Sequence, residues 1–590
     1  MQPASVPHSA KRAARRADQV PAPAAPPGAV SLARWLPLAL VGTATLLFVV
    51  LKLYAVNVVV GDEHLYFNMA VLVNKGLIPH RDFFYTHPPL HLYLAVFAFK
   101  LFGYSLALGK ALTSGAMLIG GLVVFALGRR TLGAAEGAVA CALLLLSYDP
   151  LRISSHFTGS NETFAFAMIG LWLAYLDRPL LAGVVFGLGA LVAVYIAPGA
   201  AAVALMLWWR SRGAAVRFVV AALVVALCGN LLLYSIAGWD FIYQVYLTQF
   251  QKGKEGSLLE YTLYHRLGSI MYENRMLTAG AVAGLVLMAL DVRSRLAPPA
   301  RRRPWQDTRG EAGLLFVAWF ALYWAFYLSI KLQHAYYFLF IMPVFAWLSA
   351  YAYVAIGRGI LRAIRPAPVA TRGDQRAGRR HPAQAPGADR LTLLMPAALA
   401  LVLTIASVGV IETLYVPFAL QRYGTGVSHH TWQPLRRLAF IDPWVRAAFW
   451  QPQYDPRHPP SGIARYLQHE SAQIVVADQI YAAVKQHSAP DDAIFGEAGF
   501  VPLVSSETGR RVAAHLVDTS SYRISYGLSR IEDWIAAIEA DHVRLLVGRV
   551  DMIPMRYPPF REYMLKNFQT VARVRDPQEG VFEIMRRNER

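Results

Sequence analysis

Between Gly61 and Leu90 the chain reads GDEHLYFNMAVLVNKGLIPHRDFFYTHPPL, and Asp62, Glu63, His80, Arg81, Asp82 and His87 gather there between two apolar runs. Ionisable side chains of both signs at a bilayer edge carry a desolvation cost, so such a cluster is a functional candidate. A carboxylate at the watery mouth of a membrane cavity can take the proton from a hydroxyl within hydrogen-bond reach. Asp62 is the candidate base, with Glu63 beside it as the second acid of the catalytic pair. The cations Arg81, His87, Lys331 and His334, together with Arg266 or Arg275, could hold a phosphate and stabilise it as it leaves. Asp82 and Tyr337 complete the substrate-binding set. Glu162 with Asp82 or Asp62 offers oxygen ligands for a divalent cation, although no spacing in the chain demands a metal. Tyr66, Phe83, Phe84, Tyr85, Trp239, Tyr243, Tyr246, Tyr336 and Tyr337 crowd the same segments. Such rings could stack on sugars, line a groove for a long lipid, or form an interfacial aromatic belt.

These residues need a scaffold, and composition names its class. The chain has 590 residues, 56% of them hydrophobic and only 16% charged, with a mean hydropathy of +0.36. This is too apolar for a soluble multidomain protein and fits a polytopic membrane protein. The net charge of +20 resides mostly in short segments between apolar runs, as the positive-inside rule requires, which argues against nucleic-acid binding. Cys141 and Cys228 both lie in apolar runs, so neither a disulfide framework nor a thiolate metal site is available.

Residues 1 to 34 are rich in Ala, Pro and Arg and predict a disordered, basic, cytoplasmic tail. The run from Trp35 to Val56 lies downstream of the Arg15 and Arg16 pair and is too long for a signal-peptide core. It reads as a retained first span that leaves Asp62 outside. Pro88 to Gly103 is short for a crossing, and the placement of Arg129 and Arg130 inside favours an interfacial or half-inserted helix. Spans then alternate through Leu106 to Leu127, Ala134 to Tyr148 and Thr163 to Leu176. Residues 180 to 209 cross twice or not at all, because Arg178 and Arg210 should share a side. Phe218 to Ala237, Leu277 to Leu290, Ala312 to Ile330, Phe338 to Ala355 and Leu391 to Ile411 follow, for about eleven spans in a membrane module over residues 35 to 413. Residues 362 to 390 read as a disordered cytoplasmic loop.

A connector over residues 414 to 461 leads to a small α/β domain, 462 to 590, expected on the external face. AQIVVADQIYAAVKQHS has helical spacing, while DAIFGEAG, VRLLVGRV, FQTVARVRD and VFEIMRR read as strands. The domain carries no phosphate loop, metal spacing or nucleophile motif, so a scaffold or acceptor-docking role is its default.

The acidic pair after the first span, G-x-x-P-x-R-D-F-x-x-x-x-P-P-L at Gly76 to Leu90, LFG at Leu101 to Gly103 and KLQHAYYFLFIMP at Lys331 to Pro343 together resemble the GT-C membrane glycosyltransferases. The similarity covers roughly residues 35 to 345. It is greatest to the branch of protein mannosyltransferases, aminoarabinose transferases and rhizobial galacturonosyltransferases. SSHFTGSNE, Ser154 to Glu162, is similar to the second acidic loop of oligosaccharyltransferase catalytic subunits. The resemblance implies sugar transfer from a polyprenyl-phosphate donor to an external lipid, glycan or protein acceptor, with Asp62 as base. His87 stands before Pro-Pro where the aminoarabinose transferases place a donor-phosphate lysine. Their preceding acid is Thr86 here, which leaves Asp82 or Glu162 as the residues to consider for a metal. The expected setting is the external face of a bacterial plasma membrane. The rival readings are a lipid or polyprenyl-phosphate transporter and a non-catalytic envelope assembly protein.

Overall fold

The computed structural model describes residues 35–54, 62–248, 274–296, 308–330, 334–364, 477–525, 527–576 and 580–588, with Leu263, Leu267, Ile270 and Met271. The tail over 1–34, the loop over 365–390, the span expected at Leu391 to Ile411 and the connector over 414–461 lie outside the described residues. The fold is a multi-pass helical bundle with a small C-terminal α/β domain. Among the described residues four helices are long and apolar enough to cross a membrane: Leu36–Leu53, Leu106–Thr131, Arg212–Ala237 and Gly310–Ser329.

The bundle is built round a short helix, α5 (Ala134–Leu146), in which every residue from Glu136 to Leu146 is buried. Its sequence is almost entirely Ala, Leu, Val and Gly, so it presents apolar surface in all directions and can only sit in the middle. Around it stand α1 (Leu36–Tyr54), α4 (Leu106–Thr131) and a later helix, Met342–Ile364. The crossing of α4 and α5 is close because glycines face each other. A methyl group on Gly137 would come within 2.6 Å of the Phe125 carbonyl oxygen and overlap the Arg129 backbone, and one on Gly128 would meet the Gly137 Cα. Backbone atoms cannot step aside, so Gly137→Ala should lower stability by about 1–3 kcal/mol through overpacking. The thermal midpoint of the detergent-solubilised variant checks this.

The stretch expected as one catalytic loop contains a helix, α2 (Glu63–Asn74), with Asp62 at its N-cap. A tight loop follows, in which His80 adopts φ 70°, and then α3 (Leu90–Phe102). Thirteen residues span about 20 Å, well short of the ~30 Å hydrocarbon core. That length suits the interfacial or half-inserted helix. After α6 (Tyr148–Ile153) and α7 (Ser160–Tyr175), residues 179 to 210 form a hairpin of two short helices, α8 (Pro179–Ala190) and α9 (Ala197–Arg210). Arg210 returns to within 3.5 Å of Asp177, so the two basic ends share a side as their charges require. The hairpin tip carries Tyr195. α10 (Arg212–Ala237), α11 (Arg275–Leu296), α12 (Thr308–Ser329) and α13 (Met342–Ile364) complete the described bundle, with a 3-10 segment at Ala335–Phe340 before α13.

The C-terminal domain opens with a helix, α14, over 477–487. Its five strands are β1 (Ala493–Gly496), β2 (Arg511–Val512), β3 (Leu545–Arg549), β4 (Phe568–Asp576) and β5 (Gly580–Arg587), in the order β2-β1-β3-β5-β4. β1 runs parallel to β2 and β3, with Ile494 opposite Leu545, while β5 is antiparallel to both β3 and β4. The four strands expected from the sequence are present, and Arg511–Val512 adds a fifth too short to leave a pattern. β1 and the first four residues of β3 are buried, as parallel strands covered on both faces should be.

Candidate active site

Asp62 is exposed, and its side chain makes no capping bond to its own helix. Its charge instead bears on the phenols of Tyr336 and Tyr337, in the 3-10 segment between α12 and α13. Burial raises the Tyr337 phenol to about 12, a hydrogen bond from Tyr336 counters this, and Asp62 adds to the rise. α12 sets the height of these rings. Trp319 donates to the Phe340 carbonyl at 2.7 Å, and the Tyr327 hydroxyl donates to the Tyr337 carbonyl at 2.7 Å. His334 stacks on Tyr336 with ring centroids 5.1 Å apart and lies 5.6 Å from Tyr337.

The other wall comes from α2, the loop after it and α3. His87 lies 6.1 Å from the Tyr66 ring and 6.0 Å from Tyr85. The buried Tyr85 hydroxyl is 2.8 Å from His91 Nδ1. Tyr66 is near enough to Tyr336 to add to the rise of its phenol, after burial, Tyr337 and Asp62. At the back stands Glu162, in the first turn of α7, close enough for its charge to act on Tyr85 and Tyr195. Tyr195, from the α8/α9 hairpin tip, meets Ser160 at 3.2 Å and Tyr337 at 5.5 Å between ring centroids. Asp62, His87, His334, Tyr337 and Glu162 therefore lie around one region, together with Tyr66, Tyr85, Tyr195 and Tyr336.

Other expected site residues are used differently. Glu63 is wholly buried, and both its oxygens accept from Lys110 Nζ at 2.9 Å. It faces into the protein, because a helix directs successive residues about 100° apart and Asp62 and Glu63 cannot share a face. Arg81 and Asp82 clasp each other at 2.8 Å on the exposed edge of the loop, and Asp82 Oδ2 also accepts from the Ile78 N–H at 2.7 Å. Arg81 and then the Ile78 N–H hold the Asp82 carboxyl below its usual range. Asp82 Oδ2 thus closes the turn while Oδ1 is held by Arg81. Among the described residues no group of three His, Cys, Asp or Glu side chains could hold a metal ion. Glu162 Oε2, buried with no protein hydrogen-bond partner, is a single ligand. Lys331 and Arg266 lie outside the described residues.

No family model matches the chain. Over 199 residues, 32% of its length, it is 29% identical to the catalytic subunit of GPI alpha-1,4-mannosyltransferase I from Danio rerio, and it spans about half the length of that curated relative (50%). Among solved structures it is similar to ArnT from Cupriavidus metallidurans bound to undecaprenyl phosphate, with a TM-score of 0.56 at 15% identity over 94% of this chain and 98% of that one. The chain has the GT-C fold. The apo form of the same ArnT gives a TM-score of 0.53 at 14% identity, over 93% and 98% of the two chains. With 94% of this chain covered, the match extends over the C-terminal domain as well as the bundle.

The C-terminal domain packs directly on α2 and the loop after it. Its helix α15 (Val501–Thr508) packs along α2. Asn68 donates to Ser505 at 3.2 Å and to Ser506 at 3.0 Å, and the Tyr104 hydroxyl donates to Glu507 at 2.9 Å. Leu503 and Val517 join the core formed by Tyr66, Phe67, Phe83 and Tyr85. The Arg523 guanidinium lies 4.6 Å from the centre of the Phe84 ring. Sequence reasoning missed Asn68, Leu503, Arg523 and Tyr195. Their partners are up to 438 residues away, and no local pattern encodes such a pairing. Gln244 was also missed. It accepts the Tyr85 N–H and donates to the His80 carbonyl, each at 3.0 Å, holding the left-handed turn of the loop. The π-turn at Tyr243–Leu247 that presents it is the kind of irregularity found at functional sites.

Proposed function

We propose that this chain is an integral-membrane glycosyltransferase that moves a sugar from a polyprenyl-phosphate donor to a lipid, glycan or protein acceptor on the external face of a bacterial plasma membrane. The observation that carries this reading is an exposed Asp62 at the start of α2, near Tyr336 and Tyr337, in a GT-C fold where His87 and His334 border the same tyrosine-lined region. Asp62 takes the proton from the acceptor hydroxyl as its oxygen attacks the anomeric carbon. The bond from that carbon to the donor phosphate oxygen breaks, and the phosphate leaves with the electron pair. His87 and His334 meet the charge that develops on that phosphate. The tyrosine rings offer flat faces and hydroxyls to the sugar and the start of the prenyl chain.

Two features support the membrane setting and the side. The ArnT structure that shares this fold holds undecaprenyl phosphate, a donor carrier of the proposed class. Arg129 and Arg130 close the last turn of α4, while Lys110, in its first two turns, reaches Glu63 beside Asp62. The basic end is therefore a full helix length from the site, as expected if the site opens outward. The test incubates the purified protein with labelled polyprenyl-phosphate sugars and membrane extract. A labelled product with a new glycosidic bond is the expected result. Movement of the labelled lipid between leaflets without a product would identify a transporter, and neither result would leave an assembly role.

A further inference from the structure

The Glu63–Lys110 pair has neighbours that give it a use beyond filling the core. Lys110 is 3% and Glu63 0% exposed, and Glu63 Oε1 also accepts the backbone N–H of Phe157 at 2.6 Å. One carboxylate thus ties α4 and the 154–162 loop to the residue that follows Asp62. One turn further along α4, Thr113 donates to the His156 carbonyl at 3.0 Å and accepts from Asn161 Nδ2 at 2.9 Å. The same Asn161 amide is 2.9 Å from the Ile153 carbonyl and 3.2 Å from the His156 carbonyl. Asn161 immediately precedes Glu162, so adjacent turns of α4 grip both segments that carry the site acids.

The packing is arranged for the same contact. Phe67, one turn along α2 from Glu63, stacks on Phe157 with centroids 4.4 Å apart. A methyl group on Gly109, the residue before Lys110, would overlap the Phe67 ring. α4 can come close enough for the short ion pair because residue 109 has no side chain. A buried ion pair is weak evidence for stability as such, since apolar replacements are often neutral or stabilising. Its geometry is better explained by register.

We propose that Glu63 and Lys110 are positioning residues, which, with Thr113 and Asn161, make this part of α4 the post that fixes Asp62 relative to Glu162. The proposal rests on the reading of Asp62 as the base. Glu63 touches no substrate; it acts through the start of α2 and the Phe157 backbone. Catalytic geometry is steep, and a misplacement of about 1 Å can cost about 10²-fold in rate.

The test uses the full-length protein carrying Glu63→Gln together with Lys110→Met, which removes both charges and leaves no unpaired ion. The variant is expected to melt close to wild type. Amide hydrogen exchange over residues 154–162 should speed up, and turnover should fall about 10²-fold with the donor KM nearly unchanged. Exchange is read without any substrate. If the wild-type protein transfers no sugar, the functional reading fails while exchange still decides whether the tether exists. Unchanged protection over 154–162, or faster exchange with wild-type turnover, would overturn the proposal. Should the double variant not fold, Gly109→Ala keeps both charges but pushes α4 away from Phe67, and the same two readouts apply.

Discussion

Asp62→Asn is expected to lower sugar transfer by about 10²–10⁴-fold, the contribution of a well-placed general base, while the protein still inserts and melts like wild type. The split follows from where the residue stands. Asp62 is exposed at the start of α2 and its carboxylate does not cap the helix, so the neutral amide removes no structural hydrogen bond to α2 and keeps the same volume. Asn also ranks with Asp at N-cap positions. The lost function is proton acceptance, together with the negative charge that Tyr336 and Tyr337 sense. Donor binding, read from the KM for the polyprenyl-phosphate sugar, should change little. Wild-type turnover in this variant would refute the base assignment.

Leu503→Asp should have the largest effect of any substitution outside the bundle. Leu503 is 2% exposed and packs in a core that includes Tyr66, Phe67, Phe83 and Tyr85 of α2 and the loop after it. A carboxylate there must be buried unpaired, at a cost of several kcal/mol, or be released by lifting α15 from α2. The hydrogen bonds from Asn68 to Ser505 and Ser506 are worth about 1 kcal/mol each and cannot offset that. We expect the domain to stay folded but unseated, with faster hydrogen exchange along α2 and a loss of transfer comparable to that of the base variant. Leu565→Asp, at a position 65% exposed in the same domain, is the control and should change neither readout. If Leu503→Asp retained full transfer, the domain would have no part in shaping the site.

How much of this could be read beforehand depended on the range of the interaction. The helices of the bundle, the short α3, the hairpin over 179–210 and four of the five strands announce themselves through local hydropathy, basic ends and turn residues. The candidate base was legible for the same reason, because an acid directly after an apolar run has few structural uses. The Arg81–Asp82 clasp was not, since two adjacent charges look alike whether they bind a substrate or each other. Nor was the partner of Glu63, since helix geometry turns the residue after Asp62 inward to Lys110, 47 positions away, and no local pattern encodes that pairing.

By itself the sequence determined the membrane bundle, the α/β character of the C-terminal domain and the cluster of ionisable groups after the first span. These follow from hydrophobic period, charge distribution and turn chemistry, all of which act over a few residues. Only the tertiary structure decided which members of that cluster meet. It brought Asp62 beside Tyr336 and Tyr337, put Tyr195 at the back of the site, and laid α15 over α2. Such contacts join positions hundreds of residues apart, and they are set by the packing of whole helices, where glycines at crossings and buried pairs fix the register.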